Sequence, residues 1–183
     1  MFKKFIPKYH YHSVFTINYE VLKEKGIKAI MFDLDNTLIP YHEDKPNDKL
    51  FALKERLEKE FKIMIVSNSK KGRVEKFAKM YQVPYVQFAK KPFKSGFIKA
   101  LGILDIKDND AVLFVGDQLV TDIFGSNRMG FNSCLVDPFN IKTEALITKM
   151  NRLLERVIRG FISCFNKDVK KKFKLYDDEV TND

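Results

Sequence analysis

The chain has 183 residues, 45% of them apolar and 31% charged, a composition that fits one globular domain with a buried core and excludes a disordered polymer. No run approaches the roughly 18 continuous apolar residues that a membrane-spanning helix needs, and Pro7, Lys8 and His10 interrupt the basic, aromatic N-terminus, which argues against a secretory signal. Cys134 and Cys164 are far apart, no CxxC occurs, and a reduced cytoplasmic setting is expected; 33 Lys and Arg against 24 Asp and Glu leave a net charge of +9, which suits a phosphorylated substrate, an acidic membrane surface or nucleic acid.

Residues 1–26 show no clear alternation apart from a short helix near 19–25. The apolar run 27–33, following Gly26, predicts a buried strand. Leu50, Leu53, Leu57 and Phe61 are at helical spacing over 47–61, with Asn47 or Asp48 as cap. A β-branched strand is predicted at 63–67. Next comes a helix over 70–81 with Val74, Phe77 and Tyr81 on one face, then a strand at 84–88. The helix 95–104 is expected to face Phe97, Ile98 and Leu101 inward. The most apolar strand is 111–116, a helix follows over 121–129 up to Gly130, and 131–136 is the last strand.

Strands alternating with helices imply right-handed crossovers, a mostly parallel sheet and an α/β three-layer sandwich of Rossmann-like type. Such a sheet is covered on both faces, and its ligands sit beyond the carboxyl ends of the strands. The whole chain reads as one domain, with a core over about 27–140, a basic amphipathic helical extension over 141–176 and a polar tail over 177–183.

Chemistry concentrates at the predicted strand ends. Asp33 and Asp35 stand two apart where the first strand stops, and buried carboxylates need a compensating charge. Hard oxygen ligands suit Mg²⁺. Ser67-Asn68-Ser69 leads into a helix whose free N–H groups can hold an anion. Lys90-Lys91-Pro92 supplies cations, and Gly116-Asp117 is followed by Thr121-Asp122. Acidic strand ends, a hydroxyl and a lysine in one crevice describe a Mg²⁺-dependent phosphoryl site.

In that order, Asp33-Leu34-Asp35-Asn36-Thr37, Ser67, Lys91 and Gly116-Asp117-Gln118-Leu119-Val120-Thr121-Asp122 resemble the four motifs of the haloacid dehalogenase (HAD) superfamily. The string from Phe32 to Pro40 is similar to the YqeG-type subfamily of class IIIA phosphatases, which is related to the mitochondrial phosphatidylglycerophosphate phosphatases. The resemblance implies that Asp33 is the nucleophile, forming an aspartyl-phosphate, and that Asp35 is the general acid and base. It implies that Ser67 and Lys91, with Asn68 beside them, bind the phosphate. Asp33, Asp117 and the Asp35 backbone carbonyl would hold Mg²⁺. Thr37 would fix the loop, and Asp122 would support the metal or Lys91. Lys90 competes with Lys91 for the lysine role; the family pattern puts the lysine directly before the proline.

Only 31 residues separate Asp35 from Ser67, and 23 separate Ser67 from Lys91, so neither gap holds a cap domain. An open site admits bulky substrates, and a lipid headgroup phosphate, phosphatidylglycerophosphate first, is the expected one. Nucleic-acid ends and phosphoproteins are the alternative substrates. A non-catalytic membrane- or ribosome-associated module is the alternative of another class, and the complete set of catalytic residue types argues against it.

His10, His12 and His42 read as surface or packing residues, with His42 and Tyr41 close enough in sequence to line the entrance. From Leu146 to Phe165 apolar residues form a helical stripe, opposite Lys149, Arg152, Arg156 and Arg159. Residues 142–174 carry ten basic and three acidic side chains. This segment is expected to pack on the core with a solvated basic face or to bind an anionic membrane peripherally at its inner face, with nucleic acid or a ribosomal partner as the third alternative.

Overall fold

Ala29, Ile30, Met31 and Phe32 are all apolar and all buried, a pattern that requires a strand covered on both faces. In the computed structural model, which describes residues 2–69, 72–139 and 153–160, they form β2 (Ala29–Phe32). The other strands are β1 (Tyr9–Tyr11), β3 (Lys62–Val66), β4 (Tyr85–Val86), β5 (Val112–Gly116) and β6 (Asn132–Val136). The helices are α1 (Tyr19–Glu24), α2 (Asp48–Leu57), α3 (Arg73–Tyr81), α4 (Lys94–Leu104) and α5 (Phe124–Met129). All strand pairs are parallel, in the order β1-β6-β5-β2-β3-β4. The chain moves outward in one direction through β3 and β4 and in the other through β5 and β6. The gap between β2 and β5 is therefore the switch point where a crevice opens.

Side chains alternate between two apolar layers, as the period of two demands. Ile30, Phe32, Ile63, Ile65, Leu113 and Val115 meet Leu22 of α1, Leu50, Leu53 and Leu57 of α2, and Val74, Phe77 and Tyr81 of α3. Ala29, Met31, Met64, Val66, Val112 and Phe114 meet Phe97, Ala100 and Leu104 of α4. Asn47 caps α2 by accepting from the Leu50 N–H at 3.0 Å.

Three expectations are corrected. The N-terminal segment supplies β1, which pairs with β6 in register Tyr9↔Cys134 and extends the sheet to six strands. Three residues of Tyr-His-Tyr are too short a run to show a strand period. Ile98 is 57% exposed, and Gly96, Phe97, Ala100 and Leu104 form the buried face of α4. The reason is the close approach at Gly96, where a Cβ would lie 2.2 Å from the Ala89 carbonyl oxygen and so turns Ile98 outward. The helix expected over 121–129 is preceded by a wide π turn, Leu119–Ile123, before α5 begins.

Of the C-terminal extension, only the helical residues 153–160 are described; Lys149, Arg152, Cys164, the lysines of 167–174 and the tail lie outside them. Within those two turns, Leu153, Leu154 and Val157 are exposed. Glu155 is buried, and Ile158 packs on Leu119, Ile123 and Leu135. The inward face thus carries a carboxylate, because the Val120 N–H needs an acceptor and finds Glu155 Oε1 at 3.3 Å. Among the described residues no helix is long and apolar enough to cross a membrane.

Candidate active site

Asp33 continues β2 beyond its last apolar residue, its N–H donating to the Val115 carbonyl of β5 at 2.9 Å. The chain then folds over the Leu34 carbonyl, which accepts from the N–H groups of Leu38 at 3.0 Å and Ile39 at 3.3 Å. Leu34, Leu38 and Ile39 are fully buried, so apolar packing anchors this polar loop. Asn36 takes φ of 60°, a left-handed conformation that Asn tolerates better than most residues.

Lys91 reaches back over the strand ends from the loop after β4. Its Nζ lies 2.7 Å from Asp33 Oδ1 and 2.8 Å from Asp122 Oδ1, and its side chain is 2% exposed. Thr37 donates to Asp117 Oδ1 at 3.3 Å. Carboxylate oxygens of Asp33, Asp117 and Asp122 all lie within 4.8 Å of one another, and all three residues are buried. Three carboxylates against one ammonium leave negative charge in a dry place. Hard oxygen donors so arranged fit a divalent cation.

Each position has a local cause. Gly116 lets Asp122 approach, since a Cβ there would lie 2.5 Å from the Asp122 carboxylate. Asp122 Oδ2 accepts from the Gln118 N–H at 3.0 Å, so its two oxygens serve that backbone and Lys91. The Asp122 carboxylate is thus within reach of both supports expected of it, on Lys91 at 2.8 Å and in the cluster of oxygens that could hold a metal. Lys90 is exposed and the Lys91 ammonium is the one on Asp33.

Asn68 lies beside Lys91 and is bonded to its backbone. Its Oδ1 accepts from the Lys91 N–H at 2.7 Å and its Nδ2 donates to the Lys91 carbonyl at 2.9 Å. Through these two bonds the carboxamide positions the Lys91 backbone. Ser67 is buried at the end of β3, and its Oγ accepts from the Ser69 N–H at 3.1 Å.

Burial pushes the Asp33 carboxyl up to about 6; Lys91 works against that, and the carboxylates of Asp122 and Asp35 add to it. Burial opposes the charge of Lys91, yet Asp122 and Asp33 outweigh it and raise its affinity for the proton.

Asp35 stands apart from the buried cluster. Its Oδ1 accepts from Arg73 Nε at 2.8 Å, with side chains 16% and 20% exposed respectively. Arg73 also donates from Nη2 to the Pro40 carbonyl at 3.4 Å and stacks 5.7 Å from the Tyr41 ring centroid. Sequence reasoning missed Arg73. The available signal was a cation in the first turn of a helix leaving the site, where the macrodipole disfavours it. Tyr41 lines this entrance as expected, whereas His42 is exposed. His10 Nε2 and His12 Nδ1 each lie 2.9 Å from a different oxygen of Asp137, which accounts for both as packing residues.

The family model described as mitochondrial PGP phosphatase matches residues 2–139. The chain is 37% identical over 160 residues to the protein named "Probable phosphatase YqeG" of Bacillus subtilis (strain 168), covering 86% of this chain and 92% of that one. Among solved structures, a candidate 3-deoxy-D-manno-octulosonate 8-phosphate phosphatase from Vibrio cholerae aligns with a TM-score of 0.50 at 16% identity, over 66% of this chain and 73% of that one. A HAD-superfamily hydrolase from Ehrlichia chaffeensis aligns with a TM-score of 0.46 at 15% identity, over 73% and 98% of the two chains.

Proposed function

Because this chain belongs to the mitochondrial PGP phosphatase family, as a HAD-type phosphatase of the YqeG kind, we propose that it hydrolyses a phospholipid phosphomonoester, phosphatidylglycerophosphate first, with Mg²⁺ and an aspartyl-phosphate intermediate. The observation that carries the chemistry is the Lys91 ammonium held between Asp33 and Asp122 beside Asp117, at the carboxyl ends of β2 and β5. Asp33 and Asp117, with the Asp35 carbonyl, would hold the cation. When bound, Mg²⁺ offsets the repulsion between a carboxylate nucleophile and an anionic phosphate.

The chain's own groups do the rest. Asp33 attacks phosphorus, a P–O bond to Asp33 forms and the bond to the leaving oxygen breaks. Asp35 gives that oxygen a proton. Asp35 then takes a proton from water as the water attacks phosphorus, which releases phosphate and restores the Asp33 carboxylate. Lys91 and the Ser67 hydroxyl hold the phosphoryl oxygens through both displacements.

The family description and the open rim support a lipid substrate. Between Asp35 and Ser67 the chain forms α2 and β3, and between Ser67 and Lys91 it forms α3 and β4, with no inserted domain among the described residues. Phe88 and Phe93 flank Lys91 and are 49% and 66% exposed. Phe139, whose N–H donates to the Asn36 carbonyl at 3.4 Å, is 46% exposed. The helix 153–160 presents Leu153, Leu154, Arg156 and Val157 outward, which suits a peripheral seat on an anionic membrane.

The test is phosphate release from phosphatidylglycerophosphate, a nucleotide, a 5′-phosphorylated oligonucleotide and a phosphopeptide, each with Mg²⁺ and with chelator. The lipid is expected to be turned over fastest, and only with Mg²⁺. Faster turnover of the oligonucleotide or phosphopeptide would replace the lipid reading with one of those.

A further inference from the structure

We propose that Arg73 selects the leaving group: through its outer Nη1 edge it binds a second anionic group carried by the alcohol of the phosphomonoester. The proposal rests on the reading of Asp35 as the acid that protonates the leaving oxygen.

Arg73 is held in place on three sides. Nε is on Asp35 Oδ1 at 2.8 Å, Nη2 is on the Pro40 carbonyl at 3.4 Å and the guanidinium lies over Tyr41. Among the described residues no protein group accepts from Nη1. The planar fork is therefore oriented before substrate arrives, which lowers the ordering cost of binding an anion. Its position also conflicts with the helix it starts. A cation in the first turn of α3 opposes the macrodipole, so the helix gains nothing from it there.

The surroundings are cationic as well. Lys76 first, then Lys45 and Arg73, hold the Asp44 carboxyl below its usual range. Asp44 and Asp35 are the carboxylates paired with this group of three cations.

Distance defines the ligand. A leaving oxygen that takes its proton from Asp35 lies within about 3 Å of that carboxyl. An anion on Nη1 then lies roughly 5–8 Å from the same carboxyl, by one guanidinium width and two hydrogen bonds. A glycerol unit, three carbons between two oxygens, spans about 5 Å when extended. The fitting leaving group is thus an alcohol bearing a phosphodiester one glycerol unit away. A lipid headgroup or its free deacylated form offers this equally.

The experiment compares glycerol 3-phosphate, deacylated phosphatidylglycerophosphate and the dihexanoyl lipid as substrates for wild type, Arg73→Gln and Arg73→Lys. The readout is the ratio of kcat/KM between the deacylated diphosphate and glycerol 3-phosphate, which a loss common to both substrates does not move. Wild type should favour the diphosphate by about tenfold or more, as charge-assisted contacts do. Arg73→Gln should lose that ratio and Arg73→Lys should keep part of it. Equal preference for the deacylated and dihexanoyl forms shows that the anion is read; preference for the dihexanoyl form alone shows that the chains are read and overturns the proposal. So does an equal ratio in wild type and Arg73→Gln.

Binding to Asp33→Asn, with and without Arg73→Gln, is measured by calorimetry on the same ligands. If no phosphomonoester is turned over, the aspartyl mechanism falls, while tighter binding of the diphosphate that disappears with Arg73→Gln still upholds the anion site. If Arg73→Gln fails to fold in a melt, the Arg73→Lys ratio decides.

Discussion

Asp33 and Asp35 are two residues apart in the chain but belong to two different regions of the site. The floor, made of Asp33, Ser67, Lys91, Asp117 and Asp122, is at most 5% exposed and held by backbone and side-chain bonds on every side. The rim, made of Asp35, Arg73, Tyr41, Phe88, Phe93 and Phe139, is partly or largely exposed and is assembled from three loops and the first turn of α3. Burial makes charge on the floor costly, so each floor group is paired or tied, and the floor suits the step common to every phosphomonoester. The rim can change without loss of the fold, so substrate choice belongs there.

The largest expected effect is on the floor. Asp33→Asn keeps the shape but cannot attack phosphorus, and phosphate release should fall by about a thousandfold or more, a barrier increase of about 4 kcal/mol. A melt of the same variant should show an intact fold. Residual activity within about tenfold of wild type would move the nucleophile elsewhere.

Lys91→Met should be the most destabilising floor change. It leaves Asp33 and Asp122 without their buried cation, and removing one partner of such a pair costs about 3–5 kcal/mol. Urea unfolding in the presence of chelator measures it. A loss comparable to that of an exposed lysine would erase the distinction between floor and rim.

The floor also sets a pH dependence. The folded Asp33 carboxyl, at about 6, lies above the ordinary 3.8. The folded state therefore binds this proton more tightly than the unfolded state. The associated stability is complete below about pH 4 and is lost as pH rises through about 6. Asp33→Asn lacks that loss. With chelator present it should be more stable than wild type at pH 7, by on the order of 2–3 kcal/mol, and the gap should close toward pH 4. Parallel stability profiles for the two proteins would mean that Asp33 ionises normally.

The smallest effect on stability belongs to the rim. Phe93→Ser removes a ring that is 66% exposed, and unfolding should shift by no more than about 0.5 kcal/mol. Turnover of phosphatidylglycerophosphate in micelles should drop relative to glycerol 3-phosphate. An unchanged ratio would take Phe93 out of the lipid-facing rim.

The sequence by itself determined the layered α/β fold and the floor residues. Strand burial and helix faces are written in local apolar spacing, so Ile30, Phe32, Leu50 and Phe77 could be placed without coordinates. Motif residues at strand ends converge because parallel strands share one edge. Tertiary structure alone decided what the side chains do once there. It added β1, three residues stable only against β6. It put Lys91 on Asp33 and left Lys90, at φ of 54°, in solvent. It bonded Asn68 to the Lys91 backbone, buried Glu155 under the Leu119–Ile123 turn and paired Arg73 with Asp35 across 38 residues. None of these has a period or a spacing to read. Each is set by the direction in which a loop leaves its strand, and that direction follows from packing contacts between segments far apart in the chain.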